Sequence, residues 1–385
     1  MLRDCHSPHT NRGTPTFSRQ IAIKNSRTKM KITKTIVMPS SLELQTALTF
    51  SSSIATLEEA DQYIFDFKNT RNTEPFGMLL VASQIRRLIK FRPQAAVSCS
   101  NFKHMTYAAH MGFFQSFGLD HGKAPGEATG SPRYIPIRIF DCPSLEREAA
   151  QKGIEVGEEI EETSGQMASI LCGDSSGPIH ETLTYSMREV MRNVIEHSES
   201  QRFGICAQYW PSKNKVEVAL LDQGIGLRQS LSTNPHIDTS NDRNAINYAL
   251  MPAISGKAFK GARSKKKGPW ANSGFGLYMT NRICRNGGNF FIATGNSGLL
   301  LTSGKEGKKW YECNLIGTAI RMTVKTDQLP SLKESLSKYK KEGYEFQKRY
   351  REIVNIDPSA ASLMLSEDFD VSTWQKIKAR IGLGL

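Results

Sequence analysis

No stretch of this 385-residue chain strings together the roughly 18 apolar residues that span a bilayer; the longest candidates, such as FGMLLVA (76–82), fit core elements. Seven cysteines (Cys5, Cys99, Cys142, Cys172, Cys206, Cys284, Cys313) include no CxxC pair and no close histidine partner. That excludes a zinc ribbon or a redox dithiol and leaves free thiols in a reducing cytosol as the simplest account. Acidic residues are missing locally rather than globally. Residues 1–34 hold eight Lys/Arg against one acid, Asp4, and residues 255–270 hold six with none. Together these two segments account for the whole net charge of +13, so the rest of the chain is balanced. A uniformly basic nucleic-acid surface is thereby excluded, and two local basic segments remain.

What is present suits an ordinary folded protein of two or three domains, with 39% hydrophobic and 23% charged residues. Residues 1–30 lack periodicity and read as a disordered basic arm. From 31 to 145 strands alternate with helices: KITKTIVMPS, YIFDFKNT (63–70), AAVSCS (95–100) and YIPIRIF (134–140) as strands, 76–91 and 105–119 as helices. Such alternation implies a small α/β domain. A Glu-rich linker or exposed helix is expected over 146–163, followed by two helices broken at GDSSG. RFGICAQYW (202–210) and KVEVALLD (215–222) flank PSKN as a hairpin. The polar stretch 228–271, with one helix at 243–254, has the length of a functional lid. A helix at 275–288, four short strands and a charged helical extension over 326–385 complete the reading.

Four segments in this second half carry chemistry: REVMRNVIEH (188–197), LLDQGIGL (220–227), NSGFGLYM (272–279) and GTAIRM (317–322). Glu189, Asn193 and His197 recur every four residues and so share one helical face. An amide oxygen completed by phosphate oxygens and waters suits Mg²⁺, and a carboxylate one turn away can deprotonate a nucleophile. Asp222 ends an apolar strand, where its carboxylate can accept from an exocyclic amino group while Gly224 and Gly226 let a flat base approach. Gly274 and Gly276 open a helix, whose N–H groups and dipole favour phosphate. Thr318 adds a hydroxyl at a strand start. Each segment alone reads equally as an exposed helix face, an Asp-Gly turn or a plain strand; their joint order points to Mg-ATP.

In that order the segments resemble the N, G1, G2 and G3 boxes of the GHKL superfamily (gyrase, Hsp-type chaperones, histidine kinases, MutL), over roughly 165–325. The resemblance implies a Bergerat-type α/β sandwich, a mixed sheet with helices on one face and a lid between the second and third boxes. It implies ATP and Mg²⁺ as ligands, Glu189 as general base and Asn193 as Mg²⁺ ligand. His197 matches a basic position near phosphate, Asp222 reads adenine beside Gly224 and Gly226, Gly274 and Gly276 bind phosphate, and Thr318 is water-linked to the base. The third box departs from the pattern: only GFG is present, without GxxGxG. Residues 31–145 resemble a STAS domain, the fold of anti-sigma-factor antagonists.

No His-Glu phosphoacceptor helix of a sensor kinase is evident, because His180-Glu181 lies on the same helix as Glu189. Two expectations follow. One is a serine/threonine kinase of the anti-sigma type acting on a STAS partner, with Thr73 either a phosphoacceptor or, beside Pro75, a helix cap. The other is an ATP-gated conformational ATPase forming an ATP-dependent homodimer. A nucleic-acid-binding module using the basic arm is a third reading. No membrane association is expected, and the cytoplasm is the expected location.

Overall fold

The structure, a computed structural model, describes residues 31–257, 274–303 and 307–350, without the side chains of 346–350. The first unit runs β1 (Thr33–Val37), β2 (Ser41–Leu42), α1 (Leu44–Ala55), β3 (Gln62–Asp66), β4 (Asn72–Thr73), α2 (Pro75–Phe91), β5 (Ala96–Ser100) and α3 (Thr106–His110). β1, β3 and β5 form a parallel sheet in that order. Parallel neighbours need crossovers, and α1 and α2 provide them. α1 has no counterpart in the sequence reading. Its buried Leu44, Ala47, Leu48, Ser51 and Ile54 keep helical spacing, but Ser and Thr between them mask the stripe. The helix expected over 105–119 breaks after His110, since Gly112 (φ +85°) and Gly118 (φ +97°) turn left-handed around a short 3-10 turn.

The remainder runs β6 (Tyr134–Asp141), α4 (Cys142–Lys152), α5 (Val156–Cys172), α6 (Gly177–His197), β7 (Arg202–Trp210), β8 (Lys215–Asp222), α7 (Gly226–Leu231) and α8 (Asp242–Ala249). α9 (Gly276–Cys284), β9 (Asn289–Thr294), β10 (Ser297–Thr302), β11 (Lys308–Glu312), β12 (Thr318–Lys325) and α10 (Leu332–Tyr350) follow. Seven strands make one sheet, ordered β11-β10-β9-β12-β8-β7-β6. Every pairing in it is antiparallel, where a mixed sheet was expected.

Two expected boundaries move. β6 closes the edge of the large sheet by pairing with β7, and so does not belong to the N-terminal unit. Of the two readings of 146–163, linker or exposed helix, the helix holds: Asp141 caps α4 by accepting from Ser144 N–H at 3.2 Å, and Gly153 ends it at φ +71°. Glu158 and Glu159 sit in the first turn of α5, where carboxylates favour the helix dipole. Lys152 then bridges Glu159 and Glu162, at 2.8 Å each.

Both faces of the large sheet are buried, which revises the expectation of helices on one face. Along β8, Val216, Val218 and Leu220 pack with α5, α6 and α8, whereas Ala219 and Leu221 pack with α1 and α2. The N-terminal unit therefore shares a core with the sheet. A buried ion cluster marks the junction. Arg321 of β12 meets Glu217 of β8 at 2.7 Å, and Glu74, at the start of α2, meets Arg321 at 3.4 Å and Lys215 at 3.2 Å. Burial pushes the Glu217 carboxyl up, with Arg321 pulling it back. Glu74, not Thr73, occupies the cap position of α2; Thr73 instead pairs with Leu42 in the short β2–β4 ladder. Residues 1–30 and 351–385, which hold the basic arm and most of the expected C-terminal extension, lie outside the described residues, as does the basic run from 258 to 267.

Candidate functional site

α6 supplies the wall of the site. Pro178 near its start and the apolar stripe Leu183, Met187, Val190, Met191 and Val194 bury one side against α5 and the sheet. The adjoining face, together with Val190 and Val194, lines a cavity of about 680 Å³. Glu189, Asn193, His197, Asp222, Gly226, Gly274, Gly276 and Thr318 all face that cavity. Residues from four separate segments thus meet in one space, whose floor is Leu220, Ile292 and Ile320 of the sheet.

The cavity has two ends. Ser198, just past α6, marks one; Glu189 lies nine residues earlier, about 14 Å along the helix at 1.5 Å per residue. At the Ser198 end, Asp222 is 2% exposed and accepts from the Gly224 N–H at 2.8 Å and from the N–H and hydroxyl of Thr318. Burial pushes its carboxyl up to about 6, against the pull of those hydrogen bonds. It is therefore mostly ionised at neutral pH and retains acceptor capacity.

Gly224 does not line the cavity. A Cβ there would overlap the Ser198 carbonyl, and the adjacent Ile225 N–H donates to that same carbonyl at 2.8 Å. Its part is to let the turn after β8 lie against the end of α6. Two further residues, Gly317 of the fourth segment and Thr294, which no segment contains, complete this end. Gly317, at φ +79°, has no room for a Cβ beside Asp222. Thr294 donates to the Gly317 carbonyl at 2.9 Å and accepts from the Leu227 N–H at 3.2 Å, so it ties β9, β12 and α7 together. The repeated GT and AT at strand ends were the only sequence signals for them.

At the other end, Glu189 Oε1 receives both the Nε and Nη2 hydrogens of Arg188, at 3.1 and 2.7 Å. Glu189 Oε2 lies where a Gly276 Cβ would be, at the start of α9. Gly274, at φ +70°, packs on Ala253 and Ile254 and accepts from the Ala253 N–H at 3.0 Å. Between the ends, Asn193 Nδ2 is buried and makes no hydrogen bond among the described residues. Its side chain presents a buried polar group to the cavity.

His197 behaves differently from its expected role. Burial pulls its imidazole down to about 4, with Lys257 and Arg192 adding to the pull and Glu196 opposing it. At neutral pH it is uncharged and presents a hydrogen-bonding group rather than a cation to the cavity. The sequence also gave no hint that α10 forms a wall: Leu336, Ser337, Lys340 and Tyr344 reach the cavity from the C-terminal helix.

No protein family, no curated protein and no solved structure matches this chain. Among the described residues no helix is long and apolar enough to cross a membrane. No group of three or more His, Cys, Asp or Glu that could cage a metal occurs among them either.

Proposed function

We propose that this protein binds a Mg²⁺-nucleoside triphosphate in the cavity beside α6 and hydrolyses it. The observation that carries this reading is the meeting of eight residues from four distant segments in one 680 Å³ space with a buried acceptor at one end and a carboxylate against a glycine turn at the other. The volume falls within the 300–1,000 Å³ usual for small-ligand sites. Asp222, held in place by Gly224 and Thr318, accepts from the 6-amino group of adenine. The glycine-lined start of α9 takes the phosphates, where the helix dipole favours anions. Asn193 offers the single protein oxygen that a Mg²⁺ ion chelated by phosphates needs; the ion, when bound, neutralises charge on the phosphate oxygens. Glu189 accepts a proton from water as the water oxygen bonds to the terminal phosphorus and the bond to the bridging oxygen breaks, releasing the diphosphate.

The order of the four segments supports a GHKL-type site, although the sheet is antiparallel throughout and covered on both faces. A STAS-like origin for residues 31–133 is supported by their parallel β1-β3-β5 sheet with crossover helices. Phosphate transfer to Thr73 of the same chain is disfavoured. The neighbouring Glu74 contacts Arg321 on the sheet face that packs on α2, whereas Thr318 and Ile320 of the same strand face the cavity. The sheet stands between donor and acceptor. Hydrolysis, with the shared core relaying occupancy to the N-terminal unit, is the reading these contacts favour.

The deciding experiment compares wild type with Glu189→Ala for binding of ATP and for release of labelled phosphate. Binding retained with phosphate release lost supports the assignment. Release unaffected by the substitution removes Glu189 as the base, and no binding by the wild type removes the nucleotide.

A further inference from the structure

The cavity has a wall that the four segments do not account for. α10 crosses the start of α9 and is fastened there by several contacts. Glu342 pairs with Arg282 at 3.0 Å, the Tyr344 ring sits 5.3 Å from that of Phe275, and Gly343 lies so close to Phe275 that no Cβ could fit. Phe275 immediately precedes Gly276, against which Glu189 Oε2 rests. The turn from Lys340 to Tyr344 therefore closes the glycine-turn end of the cavity, away from Asp222.

Among the described residues, three other basic side chains line the cavity. Arg188 is engaged by Glu189 and Glu161, and Arg192 by Glu196. His197 is uncharged at neutral pH. Lys340 lines the cavity and makes no ion pair with a carboxylate among the described residues; its Nζ rests 5.8 Å from the Tyr344 ring centroid. A lysine stem can swing its ammonium from an aromatic face to an anion at little cost, because both settings keep the charge hydrated or paired.

Resting on the nucleotide reading above, we infer that Lys340 binds the terminal phosphate and so makes the site prefer a nucleoside triphosphate over the diphosphate. The geometry behind this is specific: the contacted group is the one furthest from the base end, and it alone is missing from the diphosphate. Occupancy by the triphosphate would also add a contact between ligand and α10, tightening a helix otherwise held by Arg282 and a small aromatic cluster.

The test titrates the full chain, in Mg²⁺, with ADP and with the β,γ-imido analogue of ATP. It uses wild type, Lys340→Met, which keeps the apolar stem, and Lys340→Arg, which keeps the charge. Lys340→Met is expected to weaken the imido analogue about tenfold, the scale of one charge-assisted contact, and to leave ADP within about twofold. Lys340→Arg is expected to restore most of the loss. Protease cutting within α10 should slow with the imido analogue but not with ADP in wild type, and with neither ligand in Lys340→Met. Equal weakening of both ligands, or no weakening of either, overturns the Lys340 assignment and leaves nucleotide binding standing. A wild-type chain that binds neither ligand overturns the underlying reading as well.

Discussion

Glu189 Oε2 occupies the space that a side chain on Gly276 would need. Gly276 is the first residue of α9 and has no positive φ, so alanine suits its backbone and disturbs only the carboxylate. Gly276→Ala should thus behave as a site variant rather than a folding variant. Misplacing the carboxylate by about 1 Å is expected to lower phosphate release on the order of 10²-fold. The melting temperature should move by less than about 4 °C. Steady-state kinetics with a thermal scan checks both, and a large loss of stability with normal turnover would contradict the contact.

Asp222 and His197 carry opposite pH signatures. The Asp222 carboxyl is raised from 3.8 to about 6, so below pH 4 its native state keeps the full benefit of binding the proton. That benefit is lost as pH rises through 6, a cost of about 3 kcal/mol at 1.36 kcal/mol per unit. The His197 imidazole is lowered from 6.5 to about 4, so its contribution is present above 6.5 and lost as pH falls through 4. Between pH 4 and 6 the two slopes oppose each other. His197→Gln should unmask a rise in stability on acidification through that window, and Asp222→Asn should steepen the fall. Urea midpoints measured from pH 4 to 8 separate them.

Ligand binding should follow the ionisation of Asp222. Affinity for ATP is expected to rise with pH through about 6 and then level off. Asp222→Asn should flatten this profile and weaken ATP by roughly 10- to 100-fold, the value of a hydrogen bond to a charged group. GTP, with a carbonyl in place of the 6-amino group, should bind wild type far less well than ATP. Titrations at pH 5, 6 and 7.5 with both nucleotides test this, and equal affinity for the two would remove the base-reading role.

The ion cluster between α2 and the sheet is expected to hold the two units as one cooperative fold. Arg321→Met strands the fully buried Glu217 without its nearest counter-charge, 2.7 Å away, and should cost about 3–5 kcal/mol in chemical denaturation. Adding Glu217→Leu to that variant should recover much of the loss. If Arg321→Met unfolds in two separate steps, the cluster links the units; if its midpoint is unchanged, the cluster contributes nothing.

The residues that gather in the cavity were legible because they lie on locally coded elements. A four-residue spacing sets Glu189, Asn193 and His197 on one helix face, and an apolar strand delivers Asp222 to its end. The turn glycines announce themselves by type. The hairpin of β7 and β8 and the helix α2 were legible for the same reason. Less was visible where the partner is far away in sequence. β6 looks like the last strand of the first unit until its pairing with β7 places it in the large sheet. Glu155 to Glu162 fits a linker or an exposed helix equally until Lys152 and the dipole of α5 give those carboxylates partners.

By itself, then, the sequence determined the local chemistry: which side chains share a face, where the glycine turns fall, and where charge accumulates. Tertiary structure alone decided the rest. Burial made Asp222 a weak acid and His197 an uncharged base, because desolvation depends on what surrounds a group rather than on its neighbours in the chain. Packing gave the second sheet face to α1 and α2 and set Lys340 in the cavity wall, and such contacts join residues far apart in the chain, 60 positions for Arg282 and Glu342 and 263 for Ser51 and Asn314.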